Sequence, residues 1–158
     1  MTEPRAAAIG LLALALGACG VAPAPPEGHA ARAREEAVTR SDDLTVRASV
    51  VPTMAMGEAV AREYGVERHP RALLLMVGVR RGEGAAETAV PARVTANAID
   101  LRGVRTTIPL REVASGPLTD HIGVVRIVPP ETLRFHIEVQ AASGRPLALQ
   151  FSRDFYPP

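Results

Sequence analysis

Long stretches of this chain alternate apolar and polar residues with a period of two. Leu133, Phe135, Ile137 and Val139 are separated by Arg134, His136 and Glu138; Leu147, Leu149 and Phe151 are separated by Ala148 and Gln150. Successive strand residues point to opposite faces, so such a run reads as a strand with one buried side. The pattern recurs from Leu44 to Val50, Val90 to Ala98 and Val104 to Ile108. Leu73 to Val79 is apolar at both sets of positions, as in a central strand covered on both faces. His121 to Val128 adds another strand, ended by Pro129-Pro130. Breaks fall at Pro52, Gly82-Glu83-Gly84, Asp100 to Gly103 and Ser143-Gly144.

One segment keeps a helical rhythm. Thr53 can cap a helix reaching Tyr64, with Gly65 as its stop. Met56, Val60 and Tyr64, four apart, form its buried stripe, and Glu58 and Arg62 form an exposed pair. About seven strands with one short helix after the first predict an all-β fold, an antiparallel, immunoglobulin-like β-sandwich.

The start of the chain is different. An apolar run from Ala6 to Leu16 leads into Leu16-Gly17-Ala18-Cys19. The run is shorter than the roughly 20 residues of a membrane-spanning helix. Followed by small residues, it reads as a secretory signal, and the cysteine makes it look like a bacterial lipobox. Residues 1–18 are then a lipoprotein signal peptide, Cys19 the lipidation site, 19–41 a flexible tether and 42–158 the β-sandwich domain. Val21-Ala22-Pro23-Ala24-Pro25-Pro26 cannot form a helix interior, and Ala30 to Val38 lacks an apolar stripe. Gly20 after the cysteine favours the outer membrane over retention at the inner one.

Composition narrows the function classes. The chain has 158 residues, room for one domain, and a net charge of +1, without the basic excess of a nucleic-acid binder. Its 18 basic residues are all Arg, spread along the chain rather than clustered as an anion site. The single cysteine is consumed by lipidation, which leaves no disulfide, thiol nucleophile or thiolate metal site.

The helix end Glu63-Tyr64-Gly65-Val66, the strand Arg71-Ala72-Leu73-Leu74-Leu75-Met76-Val77, Glu131-Thr132-Leu133-Arg134-Phe135 and the ending Phe151-Ser152-Arg153-Asp154-Phe155-Tyr156 together resemble an uncharacterised family of small periplasmic proteins of Gram-negative bacteria, a domain of unknown function. The resemblance implies the fold and the compartment and transfers no site. In that family the precursor carries an ordinary signal peptide; this chain carries a lipobox.

Candidate chemistry is sparse. Met54, Met56, His69 and Met76 offer thioethers and an imidazole, donors that suit Cu(I), although Met more often fills a core. His121 and His136 could ligate zinc from adjacent strands if Asp120 converged with them. On a strand, Asp120 and His121 point to opposite faces and cannot pair directly, and no Gly-x-Ser-x-Gly elbow is present. Phe155 and Tyr156 read either as a partner-binding edge or, preferably, as aromatics covering an open end of the core. The expected protein is a non-enzymatic, lipid-anchored envelope module. It is held at the membrane, binds or supports another envelope component, and needs no cofactor, nucleic acid or small-molecule substrate. The alternative is a periplasmic copper or zinc carrier.

Overall fold

The computed structural model describes residues 35–142 and 144–157. Cys19, the signal segment and most of the tether lie outside them. Ten strands form two antiparallel sheets among the described residues. The first sheet runs β1 (Ala37–Ser41), β2 (Leu44–Pro52), β3 (Ala72–Arg81), β8 (Leu118–Arg126) and β7 (Arg111–Ser115). The two-residue β4 (Thr88–Ala89) pairs with Arg80 and Arg81, beyond the last β8 partner of β3 at Gly78. The second sheet runs β10 (Leu147–Phe155), β9 (Glu131–Ala141), β5 (Ala92–Ile99) and β6 (Arg105–Ile108).

The alternation in the sequence becomes the interior of this sandwich. Val46, Val50, Leu73, Leu75, Val77 and Val79 from one sheet meet Ala96, Ala98, Leu133, Phe135, Ile137 and Val139 from the other in one core. Small faces large across the β5–β9 pair: Ala98 lies opposite Phe135 and Ala96 opposite Ile137. Phe135 stacks on Phe151 with ring centroids 5.1 Å apart and meets Phe155 edge-on at 6.5 Å. The expected double coverage of β3 holds. Leu74 belongs to a second cluster with Val66 and Ile122, on the outer face of the first sheet.

Three strands escape the sequence pattern. β1, β4 and β7 are short and half exposed, and none shows an apolar face. The sandwich therefore begins inside the stretch assigned to the tether. Ala37 and Val38, read as part of the flexible tether, pair with Ala48 and Arg47. A two-residue turn joins β1 to β2, with Asp42 at φ 53, a conformation Asp tolerates better than most residues.

The helix is shorter than its rhythm suggests. Thr53–Ala55 is a single 3-10 turn, Met56 is extended, and α1 covers only Glu58–Glu63. The Thr53 hydroxyl is used elsewhere: it accepts from the His69 N–H (2.9 Å) and donates to the His69 carbonyl (3.0 Å). It therefore cannot cap a helix, and Gly57 disfavours continuing one. The face turned to the sheet is consequently Ala61, followed by Val66, while Val60 is 45% exposed. Met56 and Tyr64 are half-buried against the second cluster. Gly65 is the stop expected of it, at φ 58. Its N–H bonds to the Arg62 carbonyl (3.0 Å) and that of Val66 to Ala61 (2.8 Å), a Schellman closure. Glu58 pairs with Arg68 (3.3 Å) rather than with Arg62.

Candidate functional site

Two turns and a strand end meet at one end of the sandwich: the β5–β6 turn, the β8–β9 turn and the close of β10. The first is organised by Asp100. One carboxylate oxygen accepts from the backbone N–H groups of Arg102 (2.9 Å) and Val104 (2.8 Å), and the other from the Arg102 guanidinium (2.7 and 2.9 Å). The Arg102 side chain, then the Val104 N–H, hold this carboxyl below its ordinary value. Gly103, at φ 84, completes the turn. The Asp100 carboxylate is satisfied within the turn, while the apolar side chains project outward: Leu101 is 82% exposed and Val104 54%.

The second turn carries a cis peptide between Pro129 and Pro130. Glu131 closes it by accepting from the Val128 N–H (3.0 Å), and the Val128 side chain is left 69% exposed. At the close of β10, the Asp154 carboxylate accepts from the Thr132 hydroxyl (2.7 Å). The two terminal aromatics part company: Phe155 is buried against Phe135, as expected of a core cover, whereas Tyr156 is 56% exposed. Leu101, Val128 and Tyr156 line one cleft of about 480 Å³ together with Asp100, Glu131 and Asp154. Val104 and Val128 line a smaller neighbour of about 240 Å³.

The chain also enters the fold at this end. β1 runs alongside β2 from the Pro52 side towards the Leu44 side, away from the turns just described. Just before β1, the Glu35 carbonyl accepts from the Arg153 guanidinium (2.7 Å), which lies 4.9 Å from the centre of the Phe151 ring. Arg153 is the neighbour of Asp154 at the cleft.

The other predicted residues lie elsewhere. Met56 and Met76 pack against the same small cluster of Val66, Leu74 and Ile122. Met54 is exposed in the 3-10 turn, and His69 commits Nδ1 to the Arg71 N–H (3.0 Å). Among the described residues, no three His, Cys, Asp or Glu side chains are placed to hold a metal.

His121 and His136 are not on adjacent strands, because β8 and β9 belong to different sheets. His121 faces the interior on β8, 3.6 Å from the Glu112 carboxylate, with Nδ1 unpartnered among the described residues. His136 stands on the polar outer face of the second sheet, opposite Asn97 and Gln150. It is half-buried rather than fully solvated. Asp120 points away from His121, as alternation requires, and pairs with buried Arg80. Arg80 also donates to the carbonyls of Thr119 (2.9 Å) and Val79 (3.2 Å). Gly78 makes room for this pair, since a Cβ there would lie 3.1 Å from both partners.

Fold and site together define a small antiparallel sandwich that exposes Leu101, Val104, Val128 and Tyr156 at one turn end. Residues 38–158 match the family model described as Domain of unknown function (DUF4426), and the chain belongs to that family. It is similar to the crystal structure of a DUF4426 family protein from Pseudomonas aeruginosa PAO1, with 27% identity and a TM-score of 0.66 over 78% of this chain and 96% of that one. FetP of uropathogenic Escherichia coli strain F11, expressed recombinantly in the E. coli periplasm, shares the fold at 7% identity and a TM-score of 0.57, covering 78% of this chain and 97% of FetP. A copper-bound FetP variant does so at 9% identity and 0.56, covering 80% and 97%. No curated protein matches the chain.

Proposed function

We propose that this protein is a non-enzymatic module of the cell envelope, anchored through a lipid on Cys19 at the outer membrane, that binds or supports another envelope component through the turn end of its sandwich. The observation that carries the reading is the display of Leu101, Val104, Val128 and Tyr156 around two neighbouring clefts at one end. Apolar side chains grouped on a small domain mark an interaction surface. The carboxylates among them, Asp100, Glu131 and Asp154, each accept hydrogen bonds that hold a turn or strand end. That pattern supports a docking surface over an acid–base centre. A photo-crosslinking residue at position 101 in living cells should form a defined adduct that the same residue at position 85, in the opposite turns, does not. Equal yields at both positions would refute the assignment.

A second reading, a periplasmic copper carrier, draws on Met56 and Met76 meeting at one cluster and on the fold shared with copper-bound FetP. A ligand that binds the folded state raises its melting temperature by mass action. Under this reading a saturable shift with Cu(I) appears in the full chain and disappears in Met56→Leu and Met76→Leu. No shift in the parent chain removes the reading.

A further inference from the structure

We infer that the turn end lies on the lipid bilayer itself, with Leu101, Val104, Val128 and Tyr156 at the boundary between headgroups and acyl chains. This deepens the proposed function by naming the component it docks on, and it rests on the anchored reading. Two observations point to lipid. The first is where the chain enters. Glu35 is fixed beside Arg153 at the turn end, and only residues 20–34 separate it from Cys19. Under the tether reading, a coil of that length has an end-to-end distance of about 20 Å. The turn end is thus the part of the domain that a lipid on Cys19 holds nearest the bilayer, at high effective concentration, so that even weak apolar contacts suffice.

The second observation is a difference between the two ends. None of the exposed large apolar side chains lies in the opposite turns at 42–43, 82–87 and 116–117, where Asp42, Asp43, Glu83 and Glu87 stand. Asp100, Glu131 and Asp154 at the anchored end have internal donors, as Asp43 and Glu87 do from Arg81 and Arg47 at the other, so the difference between the ends rests on the apolar side chains. Arg102 is exposed beside Leu101, and its guanidinium can reach lipid phosphate while its stem lies along the apolar contact. Tyr156, with an apolar ring and a polar tip, suits the same boundary.

The chain contains no tryptophan, so one introduced indole reports alone. Leu101→Trp and, as control, Ala85→Trp are placed in the full chain and bound to vesicles of phosphatidylethanolamine and phosphatidylglycerol with brominated acyl chains. Both positions are exposed, so neither substitution disturbs the core. The proposal expects the emission of Leu101→Trp to be quenched several-fold more than that of Ala85→Trp, and the difference to vanish when Val104→Asp and Val128→Asp are added. Equal quenching at the two positions, or none at either, overturns it. Mass spectrometry of the same preparations reads acylation at Cys19. An acylated chain with unquenched Leu101→Trp keeps the anchor and refutes the docking. A chain without the acyl group that still shows selective quenching keeps the docking and refutes the anchor.

Discussion

Single side chains divide here into those that hold the interior and those that hold a turn. Phe135 belongs to the first kind: it is fully buried, faces Ala98, and carries both remaining phenylalanines on its ring. Truncating such a residue loses its transfer free energy and leaves a cavity, so Phe135→Ala should cost about 3–5 kcal/mol. Its neighbour Arg134 is exposed, and Arg134→Ala should melt within about 0.5 kcal/mol of the parent. Denaturant titration of the two variants checks both expectations, and the reverse order would mean that the β9 register is shifted by one residue. Asp100 is of the second kind. Its carboxyl is held below the ordinary value of 3.8, chiefly by the Arg102 side chain. A depressed folded-state value stabilises the fold above the unfolded value and ceases to do so as pH falls through the folded one. The parent should therefore outmelt Asp100→Asn near neutral pH, and the gap should close as the pH is lowered below about 4. A gap that widens in acid would contradict the assignment.

At the level of strands and helices, what a sequence reveals depends on whether an element has a buried face. β2, β3, β5, β9 and β10 bury one face or both: alternation marks Phe135 and Ile137 for the core, and the unbroken apolar run of β3 marks Leu73. β1, β4 and β7 bury little, so nothing in Ala37–Ser41 or Arg111–Ser115 distinguishes a strand from a loop. The helix fails for another reason. Spacing alone suggests a stripe of Met56, Val60 and Tyr64, but Thr53 is drawn away by His69, sixteen residues on, a tertiary contact that local rhythm cannot foresee. The crossing between sheets is equally silent in the sequence. Gly123 sits in β8 with no positive φ to mark it. It is small because the β6–β7 connection passes over it: a Cβ would lie 2.6 Å from the Pro109 carbonyl oxygen and within 2.8 Å of Ile108 and Leu110 side-chain carbons. Overpacking of this kind costs about 1–3 kcal/mol or more. We expect Gly123→Ala to lower the melting temperature by several degrees while Gly57→Ala, with open space around its Cβ position, does not. Equal behaviour of the two would place the crossing elsewhere.

For the whole molecule, the segment leading into β1, two turns and the close of β10 come together at one end. Tyr156 was visible in the sequence as a terminal aromatic, whereas Leu101, Val104 and Val128 were not, because a single apolar residue in a turn is ordinary until the fold gathers several at one end. That gathering matters only if something holds the end against its target. Under the proposed anchoring that tie is Cys19, which precedes Glu35, fixed by Arg153 beside the cleft. An acyl chain contributes about 0.8 kcal/mol per buried CH₂, and stable attachment takes more than a single chain. A lipobox cysteine carrying several chains would dominate membrane binding, with the turn end setting orientation rather than affinity. The two contributions then separate by experiment. Cys19→Ala should abolish acyl labelling, leave the precursor uncleaved by the lipoprotein peptidase, and move the domain out of membranes once the signal is removed by other means. Val104→Asp with Val128→Asp should leave acyl labelling and membrane fractionation unchanged and alter only which face of the domain is shielded. Acyl labelling that survives Cys19→Ala would place the anchor at another residue and detach the turn end from its membrane role.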